Sequence, residues 1–247
     1  MALTSIEILN GTLSIIFVLI SVYIGLTIVS KYFVYKKRTF LLLGATWIGL
    51  VTIWIASSVS FLYTVFTGKL IAPQIFMFLG NAFLPLSALL WIHAMTDLVL
   101  EDKKENLIVS FIIYGATFET YFLYFLITDY AALGSVASAV DINYTLVPTI
   151  YHFSLLVMFL TTGSVFGNAS LKAESKEVRL KGKFLVIAIL LFVTGAILEI
   201  FSGLSIIILV SGRIILILSS FAFYGGFILP EWVKKLFISN KKRGNLK

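Results

Sequence analysis

The fold class this sequence predicts is an all-α integral membrane protein: a bundle of seven transmembrane helices, N-terminus outside and C-terminus cytoplasmic. Three observations carry that prediction. Hydrophobic residues make up 60% of the 247-residue chain and charged ones only 13%, where an ordinary globular domain is roughly a quarter charged. Apolar runs of about 20 residues, enough to cross a hydrocarbon core of about 30 Å, recur from one end of the chain to the other. Basic residues collect in alternate connections between those runs, as retention of Lys and Arg in the cytoplasm requires.

Taken in order, the first run (about 8–30) is too long for the apolar part of a signal peptide and no basic segment precedes it, so it reads as a retained helix. The second (about 39–66) carries Trp47 and Trp54 on one face, a packing pattern. The third (about 74–98) ends in WIHAMTDLVLEDKKE, where His93 and Asp97 stand one helical turn apart as candidates for a latch at the inner end. The fourth (about 107–128) is followed by DYAALGSVASAVDINY, a small-residue link without basic residues, which lies on the membrane surface or folds over the outer mouth as a lid. The fifth (about 145–168) leads into NASLKAESKEVRLKGK, charged with mixed signs and expected to extend the flanking helices beyond the lipid. The sixth (about 184–203) and seventh (about 210–230) separate because their joint run is too long for one crossing, with Ser202-Gly203 and Ser211-Gly212 as turn candidates. Pro230 stops the seventh helix, Trp232 suits the interface, and residues 231–247 form a basic cytoplasmic tail. No stretch is long and polar enough for a soluble domain, so residues 1–247 read as one membrane domain.

The orientation rests on 17 of the 19 basic residues falling on one side. Among them, Lys36, Lys37, Arg38, Lys181, Lys183, Lys234, Lys235, Lys241, Lys242 and Arg243 are expected at the membrane surface, where anionic lipid attracts each by about 1 kcal/mol. The net charge of +7 therefore has a topological cause and does not point to nucleic acid. The absence of cysteine excludes disulfides, thiol catalysis and thiolate metal sites.

Ionisable groups inside lipid are costly, by roughly 2.5–3.5 kcal/mol for a charged form on insertion scales, and so face protein or water. Two glutamates share a local pattern: YGATFETYF places Gly115 and Ala116 one turn before Glu119, and TGAILEI places Gly195 and Ala196 one turn before Glu199. Small residues of this kind line close helix contacts, which turns both carboxyls into the bundle. At 1.5 Å per residue, Glu119 lies about 18 Å and Glu199 about 22 Å above the inner helix starts, and His152 about 10 Å below the outer surface. Asn81 and Arg213 fall at compatible heights. These five residues, Asn81, Glu119, His152, Glu199 and Arg213, are expected to form an outward-facing polar pocket that binds a ligand or a proton. Structural alternatives stand beside each: a protonated, hydrogen-bonded Glu119, a Glu199–Arg213 lock between the last two helices, an Arg213 that snorkels outward, and a His152 that only packs. The sequons at Asn10 and Asn143 fall on or near the outer side.

No Walker loop, HExxH, GxSxG or metal-spaced cluster is present, so no catalytic residue, metal or cofactor is expected. Seven helices, an outside N-terminus and a short basic tail resemble seven-helix receptor-like proteins, namely microbial rhodopsins and the seven-helix sensor regions of histidine kinases. The resemblance is architectural and implies a sensory role. It departs from the rhodopsins because the seventh segment has no lysine, which excludes covalent retinal, and from the kinases because the chain stops soon after that segment. Signalling would then pass through a separate cytoplasmic or membrane partner. The expectation is a receptor of the cytoplasmic membrane, prokaryotic by its isoleucine-rich composition. Its alternatives are a small transporter or proton-coupled channel using Glu119 and Glu199, and an accessory subunit of a membrane complex.

Overall fold

The structure is a computed structural model that describes residues 3–238. The chain runs through α1 (Ser5–Tyr35), α2 (Arg38–Leu50), α3 (Thr52–Thr67), α4 (Pro73–Asn81), α5 (Leu84–Leu98), α6 (Lys104–Thr128), β1 (Gly134–Ser138), β2 (Asp141–Tyr144), α7 (Leu146–Leu171), α8 (Lys176–Ile200), α9 (Ile206–Phe227) and α10 (Glu231–Ile238). Six helical segments are long and apolar enough to cross a membrane, with α4 and α5 counted together; α2 and α3 make a seventh if taken as one bent span. Large apolar side chains such as Leu19, Tyr23, Ile113 and Ile127 stay exposed around the outside, a surface that suits lipid rather than water. The chain is thus a helical, multi-pass membrane protein.

Local chemistry sets several boundaries. Thr4 and Glu7 form a reciprocal capping box at the start of α1, which satisfies two of the N–H groups a helix leaves open. Pro73 opens α4 and Pro85 sits in the first turn of α5, positions where the missing N–H costs nothing. The segments α7 and α8 are separated only by Lys172–Ser175, so the expected extension of both helices through the charged link is what is found.

Four differences from the sequence reading have physical causes. The second apolar run is not one helix, because α2 and α3 meet at Val51 with a bend of 48°. The third is interrupted after Asn81, before the helix resumes at Leu84. The link after α6 adds strands to a chain expected to be all helix, with Gly134 opposite Tyr144, Val136 opposite Ile142 and a bulge that brings Ser138 opposite Asp141. Last, α9 begins at Ile206, so Ser211-Gly212 lies inside a helix and only Ser202-Gly203 belongs to the turn. Gly212 packs instead against Leu198 and Gly195 of α8, a close helix approach of the kind small residues allow.

The two breaks lie side by side. The Thr52 hydroxyl donates to the Gly49 carbonyl at 2.8 Å and reaches the Gly80 carbonyl at 3.2 Å, taking up an acceptor on each broken segment. Gly49 is required there, since a Cβ would stand 1.8 Å from Ser87 Oγ and 2.8 Å from Ser87 Cβ.

The hairpin caps the end of the bundle where α1 starts and α3 finishes. Glu7 Oε1 accepts the Ala139 N–H at 3.0 Å, and the Ser60 hydroxyl donates to the Ala139 carbonyl. Below it runs an aromatic core: Trp47 stacks on Phe223 at 4.0 Å, Trp54 meets Phe17 and Phe192, and Phe159 joins Phe192 to Trp91.

Candidate functional site

A cavity of about 300 Å³ opens beneath the hairpin, where the break between α2 and α3 faces α7 and α8. Leu50, Ile53 and Trp54 come from the broken span, Leu84 from the start of α5, Asp141–Tyr144 from β2, His152, Leu155 and Leu156 from α7, and Phe192, Ala196 and Glu199 from α8. Each broken span therefore contributes wall at its discontinuity. The lining is mostly apolar with a few polar groups, the usual character of a small-molecule site.

Glu199 anchors one side. Its Oε1 pairs with Arg213 Nη2 at 3.2 Å, and its Oε2 accepts the Trp54 indole N–H at 3.2 Å. Arg213 is buried and the same Nη2 donates to Asn10 Oδ1, while its Nε and Nη1 find no protein acceptor among the described residues. The guanidinium thus crosslinks α1, α8 and α9 behind the cavity wall. Arg213 does not snorkel to the surface.

His152 anchors the other side. The Asn81 amide N–H donates to the Met77 carbonyl at 2.8 Å and to the Tyr144 hydroxyl at 2.9 Å, which leaves Asn81 Oδ1 to face His152 Nε2 at 2.8 Å. An amide oxygen only accepts, so this network assigns the imidazole proton to Nε2 and makes Nδ1 the acceptor of the neutral ring. The Tyr144 hydroxyl accepts from Asn81 and keeps its own proton. Burial pushes its pKa to about 12, so it remains a donor at any physiological pH.

Asp141 completes the polar lining. Its Oδ1 accepts the Ile142 N–H at 2.9 Å, and the residue lines the cavity while remaining exposed. Protein packed around the carboxyl excludes part of its water and raises its pKa to about 6; Glu199 adds to the rise and Arg213 opposes it. Among the described residues, no Lys or Arg lies within ion-pair distance of Asp141.

The five residues expected to share a pocket are divided by the structure. His152 and Glu199 line the cavity, and Asn81 and Arg213 lie one layer behind, each holding a lining residue in place. Glu119 is elsewhere: half-buried on α6, with one carboxyl oxygen enclosed and without a hydrogen bond, it neighbours Tyr151 on α7. The helical spacing faced it toward protein, but against Tyr151 of α7, which is not among the residues lining the cavity. Missing from the sequence reading were Asp141 and Tyr144, whose positions depend on the hairpin. Trp54 had been read as packing and Asn10 only as a sequon. The intramembrane arginine was the one available signal for Asn10, since a buried guanidinium needs more acceptors than a single carboxylate.

At the opposite end Asp97, expected with His93 as a latch candidate, is the centre of an ion-pair cluster. Asp97 accepts a bidentate pair from Arg38 Nε and Nη2, both 2.8 Å, and a third bond from Lys104 Nζ at 2.8 Å. His93 Nε2 stands 4.0 Å away and makes no hydrogen bond. Arg38, expected at the lipid surface, is thus committed to an ion pair, as is Lys234, which bonds Glu177 at 2.7 Å. Lys181 also reaches Glu177, at 3.3 Å. Lys36 and Lys37 stand at the α1–α2 junction, Lys183 in α8 and Lys235 in α10, whereas Lys241, Lys242 and Arg243 lie outside the described residues.

No protein family, curated protein or solved structure matches this chain.

Proposed function

We propose that the chain is a receptor-like seven-helix protein of the cytoplasmic membrane that takes a small ligand into the hairpin-covered cavity. The observation that carries this reading is the cavity itself: roughly 300 Å³, mostly apolar, with oriented polar groups from α7, α8 and β2. The basic side, set by the positive-inside rule, is cytoplasmic, so the hairpin end faces outward and the ligand enters from outside. Occupancy would bias α8 and α9 through the Glu199–Arg213 pair, and the basic α7–α8 link and tail would present the change to a cytoplasmic partner.

One observation favours a second reading, a transporter or proton-coupled channel. Both broken segments meet at the cavity, and discontinuous helices often build substrate sites in transporters. In that reading Glu199 carries the transported proton or cation, because Glu119 does not reach the cavity. Proteoliposomes under imposed pH and voltage gradients separate the two. The receptor reading expects no proton or cation flux from the folded, inserted protein. Flux abolished by Glu199→Gln would replace it with the transporter.

A further inference from the structure

The chemistry of the cavity wall selects a class of ligand, and the selection rests on the cavity being the ligand site. Two carboxylates, Asp141 and Glu199, line it, and among the described residues no Lys or Arg does. The guanidinium of Arg213 lies behind the wall and is engaged by Glu199 and Asn10, so it compensates one negative charge and leaves the other. That remaining charge belongs to Asp141, which lines the cavity and whose one partner among the described residues is the neighbouring Ile142 N–H. The hydrogen-bonding inventory points the same way. His152 Nδ1 is an acceptor because Nε2 is bound to Asn81, and the Thr149 hydroxyl is already spent on the Thr145 carbonyl at 2.8 Å. The Tyr144 hydroxyl and the Asn143 amide are the donors left over. A site rich in acceptors and holding an uncompensated negative charge rejects anions and leaves a neutral ligand with an unpaired carboxylate.

The rest of the wall is apolar and aromatic, with Trp54 and Phe192 in edge contact and Leu155 and Leu156 supplied by α7. At about 30 Å³ per water the space holds on the order of ten waters, which matches a ligand of about ten heavy atoms. We propose that the cavity binds an ammonium ion with a hydrophobic body, its N–H groups on the Asp141 carboxylate and its apolar part against Trp54, Phe192, Leu155 and Leu156.

Three probes with the same phenyl and four-carbon chain test this with the full-length protein in nanodiscs, by calorimetry with empty nanodiscs as the blank: 4-phenylbutylammonium, 4-phenylbutanol and 4-phenylbutyrate. The expected result is saturable binding of the ammonium, at least tenfold weaker binding of the alcohol and none of the carboxylate. Asp141→Asn, which keeps the acceptor for the Ile142 N–H, is expected to weaken the ammonium at least tenfold and leave the alcohol unchanged. Equal or tighter binding of the alcohol or the carboxylate, no binding of the ammonium, or an ammonium affinity indifferent to Asp141→Asn would overturn the assignment. Saturable carboxylate binding would sink the ammonium while leaving a receptor; ammonium bound and also carried across the bilayer would sink the receptor while leaving the ammonium.

Discussion

At the scale of single residues, the Glu199–Arg213 pair and Asp141 make opposite predictions. Arg213 is enclosed, so taking away its carboxylate strands a charge that burial has already stripped of water. Glu199→Gln is expected to destabilise the protein by about 3 kcal/mol. The double variant Glu199→Gln with Arg213→Met should recover much of that loss, because the stranded cation is gone. Thermal or denaturant unfolding of Glu199→Gln, Arg213→Met and the double variant in one detergent checks it; additive losses would show that the two side chains act independently. Asp141 works the other way. Partial desolvation holds its folded pKa at about 6, above the ordinary value of about 3.9. Between those values the folded protein keeps a proton that the unfolded chain has released, so this group adds stability as the pH falls from 7 toward 4 and withholds it above 6. The charged groups that face it are Glu199 on α8 and Arg213 on α9, with Tyr144 beside it on β2 and His152 on the same wall. Asp141→Asn should therefore melt higher than wild type at about pH 7.5, and the gap should close at about pH 5. A gap that does not change with pH would mean an unshifted carboxyl.

At the scale of elements, the breaks in the second and third apolar runs decide the shape of the site. The contact of Gly49 with Ser87 lets α2 and α5 approach at that level. Gly49→Ala should cost about 1–3 kcal/mol by overpacking, and Ser87→Gly in the same chain should restore most of it; an Ala variant as stable as wild type would show that the helices separate freely. The end of the bundle away from the hairpin has its own fastening. Asp97 holds the start of α2 and the start of α6 to the end of α5, and Asp97→Asn is expected to cost about 2 kcal/mol, the range of hydrogen bonds to charged groups. Hydrogen exchange should then rise in the first turns of α2 and α6 and not in the hairpin.

At the scale of the whole molecule, orientation is the quantity that the charge distribution predicts and that function depends on. The chain contains no cysteine, so single introduced thiols report topology without interference. Ala137→Cys in the hairpin and Glu174→Cys in the α7–α8 link are both exposed. A membrane-impermeant maleimide added to intact cells is expected to label the first and spare the second until the membrane is opened. The reverse pattern would turn the cavity inward and require a cytoplasmic ligand.

What the sequence by itself determined is the part set by one-dimensional composition. The number and approximate ends of the apolar runs, the inward turn of Glu119 and Glu199 from the small residues beside them, and the extension of α7 and α8 through the charged link all follow from hydropathy and helical period, which are local properties. Only the tertiary structure decided which polar residues meet. Asn10 reaches Arg213 across 203 positions, and Trp54 reaches Glu199 across 145. No local period encodes contacts at that separation. The breaks at Val51 and after Asn81 were illegible for the same reason: in an apolar run a helix interrupts where a neighbour can take up its freed backbone groups, and here that neighbour is the Thr52 hydroxyl bridging Gly49 and Gly80. The hairpin is the clearest case. Its residues are weakly apolar and short in strand pattern, and it is the anchoring of Ala139 by Glu7 and Ser60 that carries Asp141 and Tyr144 over the cavity.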